Sequence, residues 1–216
     1  MKRKRILAMI LAVASCLSLA VSASAAGTTT RKATDFKDYD RTAWYAAAVS
    51  AAVDNGLLYG KSATVIDPNG DMTRAEMAAI INRSFGCYKA ADISQYKDVA
   101  KSKWYYKDVA MAVQMGTYNG RSNSTMAPDA PISRQEAMTV VARALELDYD
   151  AYAKTDLSAF SDRSEISNWA LPYVRAMVGA DYIHGRGKIL APQDNITRAE
   201  FAQIFYNIIG TYIVSK

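Results

Sequence analysis

Apolar side chains recur at helical spacing in six stretches of the chain, and the stretches come as three similar pairs. The first of each pair reads Tyr45, Val49, Ala52 and Val53, then Tyr105, Val109, Ala112 and Val113, then Ala170, Val174, Met177 and Val178. The second reads Met77, Ile80, Ile81 and Phe85, then Ala137, Val140, Val141 and Leu145, then Phe201, Ile204, Phe205 and Ile209. Each set predicts one helix with an apolar face. Pro172 falls early enough in its helix to sit in a first turn. Gly56 and Gly116 suit the left-handed residue that ends a helix, and Asp181 takes that place less comfortably in the third copy. A Gly- and Pro-punctuated loop of about a dozen residues is expected between the two helices of a pair. Two short helices cannot bury both apolar faces alone, so the three units are expected to pack on one another.

Polar landmarks keep the same register. An aromatic-x-Asp turn opens each unit, at Phe36 with Asp38, Tyr96 with Asp98, and Phe160 with Asp162. A Trp follows the aromatic by 8, 8 and 9 residues (Trp44, Trp104, Trp169), and a Gly follows each Trp by 16 (Gly60, Gly120, Gly185). Pro68, Pro128 and Pro192 each precede an Arg by 6 residues: Arg74, Arg134 and Arg198. The segments 88–95 and 148–159 separate the units.

The motif around each Arg has two parts. Thr73 with Glu76, Ser133 with Glu136, and Thr197 with Glu200 match the capping box of a helix start, with Met72, Ile132 and Ile196 placed as staples before it. The Arg is different. It falls on the first helical position, where the macrodipole disfavours a cation by about 0.3 to 1 kcal/mol. Either an internal carboxylate such as Asp38, Asp98 or Asp162 neutralises it, or free helix amides and a guanidinium together await an external anion.

The order aromatic-x-Asp, Trp, Gly, Pro, [IM]-[TS]-R-x-E, written three times, resembles the S-layer homology (SLH) domain of bacterial surface proteins, from Phe36 to about Gly210. The resemblance implies an all-α fold in which three helix-loop-helix repeats form a pseudo-threefold spindle around a central helical bundle. It also implies inter-repeat grooves that bind secondary cell-wall polymer, a polysaccharide attached to peptidoglycan that in the family often carries pyruvylated N-acetylmannosamine. Carried over by position, Arg74, Arg134 and Arg198 would pair with the polymer carboxylate. Asp38, Asp98 and Asp162 would border the grooves, accepting sugar hydroxyls or orienting the arginines. Trp44, Trp104 and Trp169 would stack on sugar faces or else fill core. Gly60, Gly120 and Gly185 would admit close backbone approach or else serve turn geometry. The second copy has "SRQE" for "TRAE" and the third has a shorter loop, so one groove is expected to be weak or silent. The competing reading is a structural or protein-interaction component of the envelope, meeting other S-layer or envelope proteins without carbohydrate.

The ends set the compartment. Lys2, Arg3, Lys4 and Arg5 precede an apolar run from Ile6 to Val21 and the small residues Ala23, Ser24 and Ala25, the pattern of a signal peptide cleaved after Ala25. The expected divisions are a signal at 1–25, a linker at 26–35, repeats at 36–87, 96–147 and 160–210, and a tail at 211–216. Lipidation at Cys16 is the lesser alternative. Loss of the signal takes 26 basic against 21 acidic residues to 22 against 21, which removes the basic excess a nucleic-acid partner would need. No later segment approaches the roughly 20 apolar residues of a membrane span. Cys87 would then stand alone, so no internal disulfide is expected. His184 has no partner at a catalytic spacing, and "DPNGD" (Asp67 to Asp71) lacks the calcium-loop pattern and reads as a turn. An exported, non-catalytic cell-wall protein without cofactor or metal is the expectation.

Overall fold

Six α-helices follow one another among the described residues: α1 Ala46–Asp54, α2 Arg74–Phe85, α3 Tyr106–Gln114, α4 Arg134–Ala144, α5 Leu171–Gly179 and α6 Arg198–Val214, with 3-10 turns at Ala33–Asp35 and Arg163–Glu165. The structure, a computed structural model, describes residues 31–214, with side chains to Ile209. The expected signal segment, with Cys16 in it, lies outside the described residues.

The second helix of each repeat starts where the capping box says it should. Thr73 Oγ1 accepts from the Glu76 amide at 3.2 Å while the Thr73 amide donates to the Glu76 carboxylate at 2.9 Å. Ser133 with Glu136 and Thr197 with Glu200 repeat the exchange. After the first helices, Gly56, Gly116 and Asp181 all take positive φ, at 66°, 72° and 63°. The loops that follow span 55–73, 115–133 and 180–197, longer than about a dozen residues, because the chain folds back on the helix it has just left. In the first repeat the Leu57 and Leu58 amides both return to the Ala52 carbonyl, and both side chains are buried.

Helix pairing runs between repeats. The first helix of each repeat packs on the second helix of the repeat before it: α3 on α2, α5 on α4, and α1 on α6, which closes the ring. The second helices are central, since nine of the twelve residues of α2 are buried, whereas an amphipathic surface helix buries one stripe. On the axis the Met72 amide donates to the Ile196 carbonyl, Ile196 to Ile132, and Ile132 back to Met72, each at 3.0 Å. The three side chains have no exposed surface. This is the pseudo-threefold spindle, all-α, and among the described residues strand-like pairing is confined to isolated bridges, three of them between loops of different repeats. No described helix is long and apolar enough to cross a membrane.

Because Ile132 is buried completely on the axis, Ile132→Ala is expected to destabilise the protein by about 2 to 5 kcal/mol. Urea unfolding with an unchanged slope measures it, and a loss under about 1 kcal/mol would contradict this packing.

Candidate functional site

An anion at the second-helix starts would need free amides, and these are occupied. The Arg74 and Ala75 amides donate to the carbonyls of Ala130 and Pro128 at 3.0 and 2.8 Å. Arg134 and Gln135 donate likewise to Asp194 and Pro192, and Arg198 and Ala199 to Gly70 and Pro68. The third amide of each helix is taken by the capping hydroxyl. The external-anion reading of the helix starts is therefore corrected: the loop of the next repeat supplies the acceptors.

The arginines are committed in the same direction. Arg74, Arg134 and Arg198 are only 4, 5 and 2% exposed. Their Nε atoms donate to the carbonyls of Met126, Leu190 and Ile66, each two residues before the proline of the next repeat, at 2.8 to 2.9 Å. Arg74 Nη2 also reaches the Asn119 carbonyl, and Arg198 Nη2 the Tyr59 carbonyl, in each case the residue before the repeat's glycine. Their Nη1 atoms meet the capping glutamate of the next repeat: Arg74 with Glu136 at 3.0 Å, Arg134 with Glu200 at 3.1 Å, and Arg198 with Glu76 at 3.2 Å. Burial lowers the pKa of Arg134 and Arg198, and these glutamates oppose the shift.

The internal partner is thus not Asp38, Asp98 or Asp162. Each of those carboxylates accepts two loop amides instead, from Ile66 and Asp67, Met126 and Ala127, and Leu190 and Ala191. An Asp at that point closes the loop that the Arg then grips.

Each glutamate also holds a second cation that sequence reasoning missed. Lys61, Arg121 and Arg186 follow directly after Gly60, Gly120 and Gly185, and lie 2.6, 3.4 and 2.6 Å from Glu76, Glu136 and Glu200. The available signal was a basic residue after every repeat glycine. The glycines serve close packing: a Cβ on any of the three would strike the Phe36, Tyr96 or Phe160 ring and a loop carbonyl.

The tryptophans do not fill core, for Trp44, Trp104 and Trp169 are 64, 62 and 52% exposed. Trp169 lines a groove of about 720 Å³ with Arg74, Gly120, Arg121, Glu136 and Arg143 of the preceding repeats. Trp44 lines a groove of about 360 Å³ with Gly185, Arg186 and Glu200 of the third repeat. In both, one repeat gives the glycine loop and helix start and the next gives the indole. In the first repeat, Arg83 lies over the exposed Tyr59 ring at 4.1 Å beside the Lys61–Glu76 pair.

The grooves differ chemically. Arg186 is held by Asp194 at 2.7 Å as well as by Glu200, and the helix position of Arg83 and Arg143 is Asn207 in the third repeat. Gln135, of the "SRQE" copy, is buried and accepts the Ser167 amide at 2.9 Å, bracing the larger groove. His184 is exposed beside Asp181, and the described residues bring together no group of His, Cys, Asp and Glu able to hold a metal.

The sequence profile of the S-layer homology domain matches residues 35–78, 95–138 and 159–202, from each aromatic-x-Asp turn into each second helix. The endoglucanase of Bacillus sp. (strain KSM-635) is 25% identical over 210 residues, 95% of this chain and 22% of that protein. The surface-layer 125 kDa protein of Lysinibacillus sphaericus is 36% identical over 126 residues, 56% of this chain and 11% of that protein. The cellulosome-anchoring protein of Acetivibrio thermocellus is 28% identical over 116 residues, 51% of this chain and 26% of that protein. The chain spans about a quarter or less of the length of these relatives.

The glutamates should make stability acid-sensitive. Burial pushes the Glu76 carboxyl up, but Lys61, the Thr73 amide and Arg198 overcome it and leave it below the ordinary 4.5; Glu200 behaves alike through Arg186, Thr197 and Arg134. A depressed folded pKa contributes stability that is fully present above the unfolded value and lost as pH falls through the folded one. Melting temperature is therefore expected to drop as pH is lowered from 4.5, and Glu76→Gln with Glu200→Gln to flatten that dependence while destabilising the protein at pH 7 by about 3 kcal/mol or more. An unchanged acid limb in the double variant would refute the assignment.

Proposed function

The chain belongs to the S-layer homology domain family, and on that premise we propose that it is a non-catalytic anchoring module that holds to the bacterial cell surface by binding secondary cell-wall polysaccharide in its inter-repeat grooves. The observation that carries this reading is an exposed indole beside a basic side chain on the rim of one groove, Trp169 with Arg121. The apolar face of a sugar ring stacks on such an indole, while the Arg121 side chain, 45% exposed, remains available to an acidic substituent, such as the carboxylate of a pyruvylated sugar.

Roles within the motif divide by burial. Arg74, Arg134 and Arg198 are positioning residues that shape the loops and keep the groove floors positive. Direct contact with polymer falls to Lys61, Arg121 and Arg186 and to Trp44, Trp104 and Trp169. Asp38, Asp98 and Asp162, with Gly60, Gly120 and Gly185, hold the loops that carry them. The grooves are unequal on this reading. Arg186 is neutralised by two carboxylates, and Asn207 replaces a cation, so an anionic unit prefers the groove of Arg121 and Arg143.

The protein is expected to co-sediment with wall sacculi that carry their secondary polymer and to stay in solution when acid has stripped it. Arg121→Gln with Trp169→Ala should weaken sedimentation at least about tenfold with unchanged circular dichroism, since a charge-assisted hydrogen bond alone contributes about 1.5 to 3 kcal/mol. Arg186→Gln should weaken it little. Equal binding to stripped sacculi would overturn the polymer reading in favour of a protein partner. Replacing Arg74, Arg134 and Arg198 together by Ala is expected to lower the melting temperature sharply, because each change leaves a half-buried glutamate without one of its two cations and strips the loop carbonyls of the next repeat of their donor.

A further inference from the structure

A third pocket, of about 420 Å³, lies between the 148–159 spacer and α5 and shares no lining residue with either groove. Lys154, Arg163 and Arg175 line it, with Asp156 the one acidic side chain among the lining residues. Among the described residues no ion pair engages any of the three cations. Arg163 makes only a long 3.4 Å bond to the Phe160 carbonyl. Arg175 donates through Nη1 to the Ala153 carbonyl at 3.1 Å, but its Nε is buried with no hydrogen-bond partner. Asp156 makes no hydrogen bond to any of the three cations: its two oxygens accept from the Ser158 amide and hydroxyl at 2.8 and 2.7 Å, and its charge acts on Arg163 only at longer range.

The pocket is preformed. At Gly179 of α5 a Cβ would strike Thr155 Oγ1 and the Tyr152 ring, so the spacer lies against the helix at a position without a side chain. Together with the Arg175 bond to Ala153, this pins the spacer at two points one helical turn apart. Nor does the threefold pattern produce the pocket. The positions that match Arg175, six residues after the Trp, are Ser50 and Ala110; those that match Arg163, three after the aromatic, are Tyr39 and Val99. The other spacer, 88–95, is also four residues shorter.

We propose that this pocket is an anion site for a phosphate group, separate from the polymer grooves. Three cations against one carboxylate leave an excess of two positive charges, which suits a phosphomonoester carrying about −1.5 to −2 at neutral pH, and the planar forks of Arg163 and Arg175 suit its oxygens. The phosphate is either free or borne on a wall polymer.

The test is a titration of the isotopically labelled 216-residue chain with inorganic phosphate at constant ionic strength, read by amide chemical shifts. The Thr155, Leu157 and Ser158 amides are expected to shift saturably. Acetate, a monoanion, should move them only at far higher concentration. Arg175→Gln should weaken phosphate binding about tenfold or more, the equivalent of one charge-assisted hydrogen bond. Lys154→Gln is an exposed change that keeps the fold and should weaken it several-fold, so the proposal stays testable if Arg175→Gln fails to fold. A sugar oligomer bearing phosphomonoester groups that displaces phosphate from these amides points to a polymer source, and one that does not points to free phosphate; either supports the site. Shifts that rise linearly, that persist unchanged in Lys154→Gln and Arg163→Gln, or that saturate only around Arg121 and Trp169 would overturn it.

Discussion

A buried guanidinium extended from one repeat to the capping carboxylate of the next is the interaction on which this fold depends. Three second helices bring their N-termini together near the axis, and each bears a positive dipole end and an arginine. Unopposed, that arrangement would repel itself. Glu76, Glu136 and Glu200 oppose it from the third position of the same helices, and each is shared across a repeat boundary. The arginine also takes the carbonyl two residues before the next proline, so the loop that forms a groove rim cannot be shaped independently of the core. Removing one partner of such a pair leaves a buried charge, which costs more than the pair itself contributes.

Much of this was legible in the residues, and the point where legibility ended is instructive. The helices, the capping boxes and the positive φ after the first helices follow from local patterns, because the groups that satisfy one another lie within a turn. The anomalous arginine was visible for the same reason: its cost is local. Its partner was not. Glu76 already had a role as a cap, and only the fold shows that Oε2 receives the Thr73 amide while Oε1 receives Arg198, 122 residues away. A carboxylate has about four acceptor sites, so one role does not exhaust it. Asp38 looked like the free acid, yet both its oxygens close a loop whose amides no sequence pattern marks as unpaired. The tryptophans' exposure was hidden likewise, since an aromatic at a helix head reads equally as core or surface.

The symmetry is strict where it holds the spindle together and relaxed where the grooves face outward. The axial ring and the arginine contacts recur with nearly constant distances. At the rims, Lys61 stands against Arg121 and Arg186, Asn207 against Arg83 and Arg143, and Asp194 has no acidic counterpart at Gly70 or Ala130. Buried pairs tolerate little change, while half-exposed cations tolerate much, so divergence among the copies collects at the surface that would meet a ligand.

The direction of these bonds has a consequence for how such a chain can arise. Every repeat carries both halves of the boundary, an arginine that donates forward and a glutamate with loop carbonyls that accept from behind. A head-to-tail surface that closes after three steps is that of a cyclic trimer. A solitary copy therefore bears an interface complementary to itself, and the tandem chain is such a trimer with its subunits fused. Fusion replaces an assembly that dilution would dissolve with one that it cannot, and it leaves the three units free to differ.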